Sequence, residues 1–247
     1  MKNKLAKMWE KEEKIIFEGW DFTYLQNRKI DEKLPWNYTS MAKRLVRKSE
    51  SVLDMGTGGG EIFSSLAPFP GNAFATEGWK PNLSIARKRL RPLGVKVVYV
   101  KDKKLPFDKE SFDTVLNRHE AFDAKEVSRV LKKNGVFLTQ QVGGGNLRDL
   151  TKALNADTGY KKWSLRSLTR DVKNAGLKVK FAKEWSGKTE FKDVGAIVYF
   201  LKAVPWVVGN FTVKKYFSHL EKLQRRLNKG EKLIFTEVKF LVMAKKH

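Results

Sequence analysis

The chain has 247 residues, of which 41% are hydrophobic and 12% aromatic, and its formal net charge is +23. This composition supports a sizeable buried core, so it excludes a disordered polycation or a basic tail. The absence of cysteine excludes disulfide scaffolds, thiolate-bound metals and catalysis by a cysteine nucleophile. Three scattered histidines add no metal-binding pattern, so no metal site is expected.

The first 40 residues predict a helical and aromatic lid in front of the main domain. Apolar side chains recur at helical spacing over residues 5–16, and an aromatic, turn-rich stretch follows from Trp20 to Tyr38. Trp36 and Tyr38 could close over a ligand or pack into the core. The first residues show no signal peptide, which favours a cytoplasmic location.

Residues 41–247 predict a single α/β domain. Between residues 51 and 142, short β-rich runs alternate with helical runs, which is the pattern of a doubly wound, mostly parallel sheet. Asp123 and Glu126 form a capping pattern before a helix that should close at Gly135. The strands predicted in this part are 51–55, 72–76, 95–100, 112–116 and 135–142.

The remaining residues predict an edge to this sheet and a helical insertion. Ser164 suits the N-cap of a helix that ends at Gly176, and residues 212–228 predict a second amphipathic helix. A strand over 177–183 precedes an insertion at about 188–230. The last strand is expected to be antiparallel and to lie at the edge. The apolar run around Lys202 is too interrupted to span a bilayer, so no stable membrane insertion is expected.

A glycine-rich turn directly after the first predicted buried strand is the most informative motif. Residues 52–61 read VLDMGTGGGE, in which the glycines let the backbone turn sharply and approach a ligand closely. Glu61 stands where a dinucleotide-binding fold would place its third glycine, and Asp54 adds a second carboxylate. Because both acids would repel a diphosphate, the loop favours a ligand that carries positive charge.

Two further acids follow the next two predicted strands. Glu77 closes one strand at a position where a carboxylate can accept hydrogen bonds from ribose hydroxyls, and Asp102 follows the other. The carboxyl ends of parallel strands meet at one edge of a sheet, so Asp54, Glu77 and Asp102 are expected to converge on one crevice. A ligand with a cationic end, a ribose and an amino-bearing base would satisfy all three.

These motifs resemble those of class I S-adenosylmethionine-dependent methyltransferases, in particular the type 11 branch that includes quinone and other small-molecule methyltransferases. The resemblance covers roughly residues 35–142, and its sequences are VLDMGTGGGE, ATEGWKPNLSIARKRL, KDKKLPFDKESFDTVLNRHEAF and VLKKNGVFLTQQVGG. It implies a seven-stranded sheet with a reversed last strand and S-adenosyl-L-methionine as the cofactor. By this resemblance Asp54 and the loop hold the methionine part, Glu77 the ribose and Asp102 the adenine amino group. The cofactor-binding residues expected from it are Asp54, Gly56, Thr57, Gly58, Gly60, Glu77, Asp102 and Asn117.

Candidate residues for the reaction follow the next two strands of the predicted sheet. His119 or Glu120 could remove a proton from the acceptor, or could instead cap the helix that follows. Arg118 could fix an anionic acceptor. Gln140 and Gln141 cannot both face the site, because neighbouring strand residues face opposite ways. Gln141 is favoured because it lies nearer the strand end, although it could also face solvent. The candidate acceptor-binding residues are Trp36, Tyr38, Arg118 and Gln141.

The sequence leaves the methyl acceptor and the oligomeric state open. The apolar, aromatic residues 194–208 favour a hydrophobic small molecule. Net charge is +14 over residues 151–247, against +4 over 1–50 and +5 over 51–150, so the basic last third could dock RNA. A generally lysine-rich surface explains the same charge without RNA, and a non-catalytic protein that retains the cofactor loop is a further alternative.

Overall fold

The computed structural model describes residues 2–69, 71–157 and 163–247. Its strands and helices alternate through the first half of the chain, as the hydrophobic pattern predicts. The helices are α1 (Lys2–Glu13), α2 (Tyr38–Val46), α3 (Glu61–Ser64), α4 (Lys80–Leu90), α5 (Ala124–Val130), α6 (Arg148–Ala153), α7 (Leu165–Asn174), α8 (Val194–Ala203) and α9 (Val213–Asn228). The strands are β1 (Lys29–Asp31), β2 (Ser51–Met55), β3 (Asn72–Glu77), β4 (Val95–Tyr99), β5 (Phe112–Arg118), β6 (Leu131–Val142), β7 (Leu177–Phe191) and β8 (Leu233–Lys246).

The strands form one sheet in the order β1, β7, β8, β6, β5, β2, β3, β4. Strands β2 to β6 are parallel to one another, whereas β8 runs antiparallel to both of its neighbours. The mostly parallel sheet with a reversed last strand is therefore confirmed. The last strand does not lie at the edge as predicted. Phe240, Leu241 and Val242 are all fully buried, so both faces of β8 are covered, as in an interior strand.

Within the described residues the sheet has eight strands rather than the predicted seven, and the additional strand is β1. This three-residue strand comes from the predicted lid and pairs antiparallel with the end of β7. Lys29 forms an ion pair with Glu237 at 3.2 Å, and Asp31 accepts a hydrogen bond from the Thr189 hydroxyl at 2.6 Å. A strand so short and polar is held by tertiary contacts, which hydrophobic periodicity cannot reveal.

Strand β7 continues to Phe191 instead of ending near residue 183. This end of β7 pairs with β1 on one side and with β8 on the other, and its Thr189 and Phe191 are fully buried. The helical insertion consequently begins at α8 rather than near residue 188. Asp193 caps that helix, its side chain accepting a hydrogen bond from the Ala196 N–H at 2.7 Å.

The helix caps predicted at Asp123 and Ser164 are confirmed, since each side chain accepts a hydrogen bond from a backbone N–H of the helix it begins. Thr212 caps α9 in the same way. Helix α5 nevertheless ends at Val130, before the predicted stop. Leu131 is already extended and pairs with β5, so the chain enters β6 directly.

Helices cover both faces of the sheet and form an additional layer near β7 and β8. In this layer α1 packs against α8 and α9, and the fully buried Trp9 lies 5.5 Å from the Phe217 ring. The predicted N-terminal lid and the insertion thus share one apolar cluster. Among the helices that the structure describes, none has the length and apolarity needed to cross a membrane.

Candidate functional site

A cavity of about 980 Å³ opens at the carboxyl ends of the central strands. Asp54 is the next-to-last residue of β2, Glu77 ends β3, and Arg118 ends β5. All three line this cavity, together with Gly56 and Gly58. The structure therefore brings together the core of the site that the sequence predicted.

The glycine loop has a backbone that other residues adopt poorly. Gly56 and Gly58 have φ values of +66° and +63°, in the left-handed region that favours glycine. A Cβ atom on Gly56 would overlap the Cβ and Cγ atoms of Glu120, and one on Gly58 would lie 3.2 Å from the Cβ of Trp20. The loop is thus packed between the residue after β5 and the N-terminal lid, and it leaves room for a ligand but none for side chains.

Glu77 fixes the loop as well as lining the cavity. Its buried carboxylate accepts hydrogen bonds from the Gly58 N–H and the Trp79 N–H, both at 2.7 Å. Burial raises the pKa of Glu77, and these N–H groups oppose that rise. Each oxygen keeps a further lone pair, so the carboxylate can still accept hydroxyl donors from a ligand.

Asp54 is the second buried carboxylate of the cavity, and burial raises its pKa to about 7. In the part of the chain that the structure describes, neither Asp54 nor Glu77 forms an ion pair. Buried carboxylates without a cation are costly, and a ligand that brings its own positive charge and hydroxyl groups would relieve that cost. The residues present therefore fit S-adenosylmethionine and disfavour a diphosphate.

The structure places three of the expected cofactor residues outside the cavity lining. Asp102 is exposed, because β4 ends at Tyr99 and the bend that follows turns its side chain to solvent; Lys103 lines the cavity instead. Gly60 caps α3 with φ +82°, and a Cβ there would lie 2.9 Å from Leu90, so its role is helix packing. The third residue, Asn117, belongs to a network behind the cavity wall.

Asn117 is fully buried and ties two strand ends together. Its side-chain oxygen accepts hydrogen bonds from the Thr139 hydroxyl at 2.8 Å and from the Gln141 amide at 2.5 Å. Gln141 itself lines the cavity and also donates to the Glu120 carbonyl at 3.1 Å. Tyr38 lines the cavity and donates to the Asn117 carbonyl at 3.3 Å. Asn117 thus positions lining residues without lining the cavity.

Trp36 does not line this cavity. Its hydrogen bond to Gln140 determines which ring nitrogen of His119 carries the proton. The Trp36 indole N–H can only donate, and it donates to the Gln140 side-chain oxygen at 2.8 Å. The Gln140 amide nitrogen therefore faces Nε2 of His119, 3.1 Å away, and donates to it. Nε2 then carries a lone pair, which leaves the ring proton on Nδ1. Because Nε2 is already engaged by Gln140, it is not available to take a proton from an acceptor.

The pKa values of His119 and Glu120 are shifted in opposite directions, which decides which of them is the stronger base. Burial lowers the pKa of His119 well below its usual value, and the positive charges of Arg118 and Lys239 lower it further. Burial raises the pKa of Glu120, with a contribution from the Glu77 charge. Neither residue caps α5, since Asp123 does so. Glu120 lines the cavity directly above Gly56, so it is the better placed of the two bases.

An aromatic roof, which the sequence did not assign as a whole, also lines the cavity. Trp20 and Phe22 come from the N-terminal lid, and Phe200 and Trp206 come from the insertion. The rings of Trp20 and Trp206 stack in parallel, with centroids 5.8 Å apart and an interplanar angle of 1°. Only the fold brings these residues together, because more than half of the chain separates them.

A family model described as a methyltransferase domain matches residues 53–139, which contain the glycine loop and both buried carboxylates. Residues 53–139 therefore match a methyltransferase domain, and the chain has the class I methyltransferase fold. This match supports S-adenosyl-L-methionine as the cofactor, in agreement with the charge of the cradle formed by Asp54, the glycine loop and Glu77. The methyltransferase match ends at the last residues of β6, so it does not include the insertion that supplies half of the roof.

Two curated relatives of this chain act on different kinds of acceptor, according to their names. The ubiquinone biosynthesis O-methyltransferase of Pelagibacter ubique is 27% identical over 146 residues, covering 52% of this chain and 61% of the relative. The protein-L-isoaspartate O-methyltransferase of Alcanivorax borkumensis is 30% identical over 148 residues, covering 57% and 66%. Each match spans less than two thirds of the relative.

The fold extends further than these sequence matches. A Bacillus halodurans protein that is provisionally assigned as a methyltransferase superposes with a TM-score of 0.63, covering 85% of this chain and 98% of that structure at 20% identity. At this level of identity the likeness concerns the fold alone. It shows that the arrangement extends beyond the 53–139 segment.

Proposed function

We propose that the protein transfers a methyl group from S-adenosylmethionine to a small-molecule acceptor. The observation that carries this proposal is one cavity that joins the acidic cradle to the aromatic roof. A reaction partner in this cavity lies beneath the stacked Trp20 and Trp206, which favours a compact molecule over a polymer chain.

In this proposal the cofactor supplies a methyl group bonded to a positively charged sulfur, and the chain positions the acceptor. Asp54 and the glycine loop hold the methionine part, and Glu77 holds the ribose hydroxyls. The aromatic roof excludes water from the transfer. Where the acceptor must lose a proton, Glu120 takes it, since its raised pKa makes it a stronger base than an ordinary carboxylate.

An RNA acceptor has weaker structural support. The first part of β7 pairs with β8 alone among the described strands, and its exposed residues include Lys178, Lys180 and Lys183. Lysines on an open strand edge prevent other strands from adding to it, which accounts for part of the basic last third without RNA. We keep the cytoplasm as the proposed location, because a chain without cysteine fits a reducing compartment.

Glu77→Gln tests the cofactor site. An amide at this position cannot accept both the Gly58 and the Trp79 N–H groups and a ribose hydroxyl, so S-adenosylhomocysteine should bind roughly ten- to a hundredfold more weakly in calorimetry. Glu184→Gln, on the exposed part of β7, is the control and should bind as the wild type does. Unchanged affinity in Glu77→Gln would refute the Glu77 role, and a wild-type protein that binds no S-adenosylhomocysteine would refute the proposed function.

A further inference from the structure

Arg118 stands where two cavities of the molecule meet. The second is an open groove of about 760 Å³ lined by residues 31–37, Arg118 and Lys239. Arg118, Asp31 and Lys239 also line the main cavity, so these three side chains form the boundary between the two. None of the cradle residues lines the groove. The groove therefore approaches the main cavity from the side away from the cofactor loop.

The other charged groups at this boundary are already paired. Lys29 forms ion pairs with Asp31 and with Glu237, the latter at 3.2 Å. Lys239 binds the second oxygen of Glu237 at 2.7 Å, and the Thr189 hydroxyl donates to Asp31 at 2.6 Å. Two lysines and two carboxylates thus neutralise one another, and this cluster has no charge left over for a ligand.

Arg118 is the unmatched charge. Its guanidinium forms no hydrogen bond or ion pair with any residue that the structure describes. Its electrostatic neighbours are Tyr38 and Asp54, and Asp54 is only partly ionised near neutral pH because its pKa is about 7. Arginine stays protonated in proteins, and the Arg118 side chain is partly buried, so its guanidinium is available to pair with an anion that enters the cavity. A carboxylate from a ligand would supply the missing partner in a geometry that a guanidinium matches.

The apolar part of such a ligand has a defined place. Phe22, Phe200, Trp206 and Val204 line the same cavity as Arg118 and offer no charge. Flat apolar bodies pack well against aromatic rings of this kind. A molecule with one acidic end and one apolar or aromatic body would therefore satisfy both surfaces at once.

We propose that the methyl acceptor is an apolar or aromatic carboxylic acid, whose carboxylate is bound by Arg118 at the junction of cavity and groove and whose body lies under the aromatic roof. This inference rests on the proposed function. The methionyl carboxylate of the cofactor has the same chemistry and is the competing source of the anion. The position of Arg118 on the groove favours the acceptor.

The test uses the full chain saturated with S-adenosylhomocysteine and two matched probes, 4-hydroxyphenylacetate and its uncharged amide. Calorimetry should show that the acid binds roughly tenfold or more tightly than the amide. Arg118→Met should abolish this preference, and Arg118→Lys should retain part of it. Arg170→Met is the control, because Arg170 is exposed on α7 and pairs with Asp171, and it should keep the full preference.

The affinity of each variant for S-adenosylhomocysteine and for 5′-methylthioadenosine, which lacks the amino-acid part, separates the two sources of the anion. Unchanged binding of both nucleosides by Arg118→Met supports the acceptor and also shows that the variant is folded. Weakened S-adenosylhomocysteine binding with unchanged 5′-methylthioadenosine binding would overturn the proposal, since Arg118 would then hold the cofactor. Equal affinity of the wild type for acid and amide would also overturn it while leaving the proposed function intact.

Discussion

Replacing Gly56 by alanine is expected to abolish S-adenosylhomocysteine binding and methyl transfer while the protein stays folded. The φ of Gly56 is +66°, and an alanine Cβ would overlap the Cβ and Cγ atoms of Glu120. These atoms lie close to the Glu120 backbone and cannot swing away, so either the glycine loop or the backbone at Glu120 must move. Because displacements of about 1 Å in a catalytic site cost roughly a hundredfold in rate, a loss of at least that size is expected in turnover.

Gly94→Ala is the matched control for this prediction. Gly94 has φ +76°, so alanine meets similar backbone strain, but no atom lies within 4 Å of the added Cβ. Both variants should lose about 1 kcal/mol of unfolding free energy, and only Gly56→Ala should lose cofactor binding. Equal cofactor affinity in the two variants would show that the contact between Gly56 and Glu120 does not shape the site.

Binding of S-adenosylhomocysteine should strengthen as the pH rises toward neutrality. Burial raises the pKa of Asp54 to about 7, so below that pH the free protein carries a protonated Asp54. The ammonium group of the ligand favours the ionised carboxylate, so binding must then release a proton. Affinity should rise by up to about tenfold per pH unit between roughly pH 5 and 7 and then level off. Calorimetry in buffers of different ionisation enthalpy would detect the released proton.

Asp54→Asn should remove this pH dependence and change the stability of the free protein. Between about pH 4 and 7 the folded wild type keeps a proton that the unfolded chain releases, so its stability falls as the pH rises through this window. The asparagine variant lacks that loss. Its free energy of unfolding should exceed that of the wild type near pH 8, by an amount on the order of 4 kcal/mol, and the advantage should disappear in acid. A pH-independent affinity in the wild type would contradict the assignment of Asp54.

The cradle could be predicted from the sequence because its chemistry is local. A buried strand that runs into VLDMGTGGGE, followed by Glu77 at the end of the next strand, fixes which groups meet at the carboxyl edge of a parallel sheet. Asp102 was predicted to face the crevice, but it is exposed to solvent. The bend after β4 sets this direction, and the sequence does not reveal it.

The acceptor side could not be predicted, since contacts between distant segments create it. In the roof Trp20 stacks on Trp206, and β1 places Lys29 beside Glu237. The members of each pair lie far apart in the sequence, and no repeating pattern links them. The unmatched charge of Arg118 becomes visible only when all neighbouring charges have been paired. Such features depend on tertiary packing rather than on motifs or hydrophobic patterns.

Transfer of label from methyl-labelled S-adenosylmethionine to fractionated cell extract tests the proposed function most directly. Wild-type protein should label one or more acidic, apolar compounds in the small-molecule fraction, and Gly56→Ala should label none. Label that enters RNA or protein instead would contradict the small-molecule acceptor. If no fraction is labelled while S-adenosylhomocysteine binds tightly, the result would contradict methyl transfer and support a non-catalytic protein that binds the cofactor.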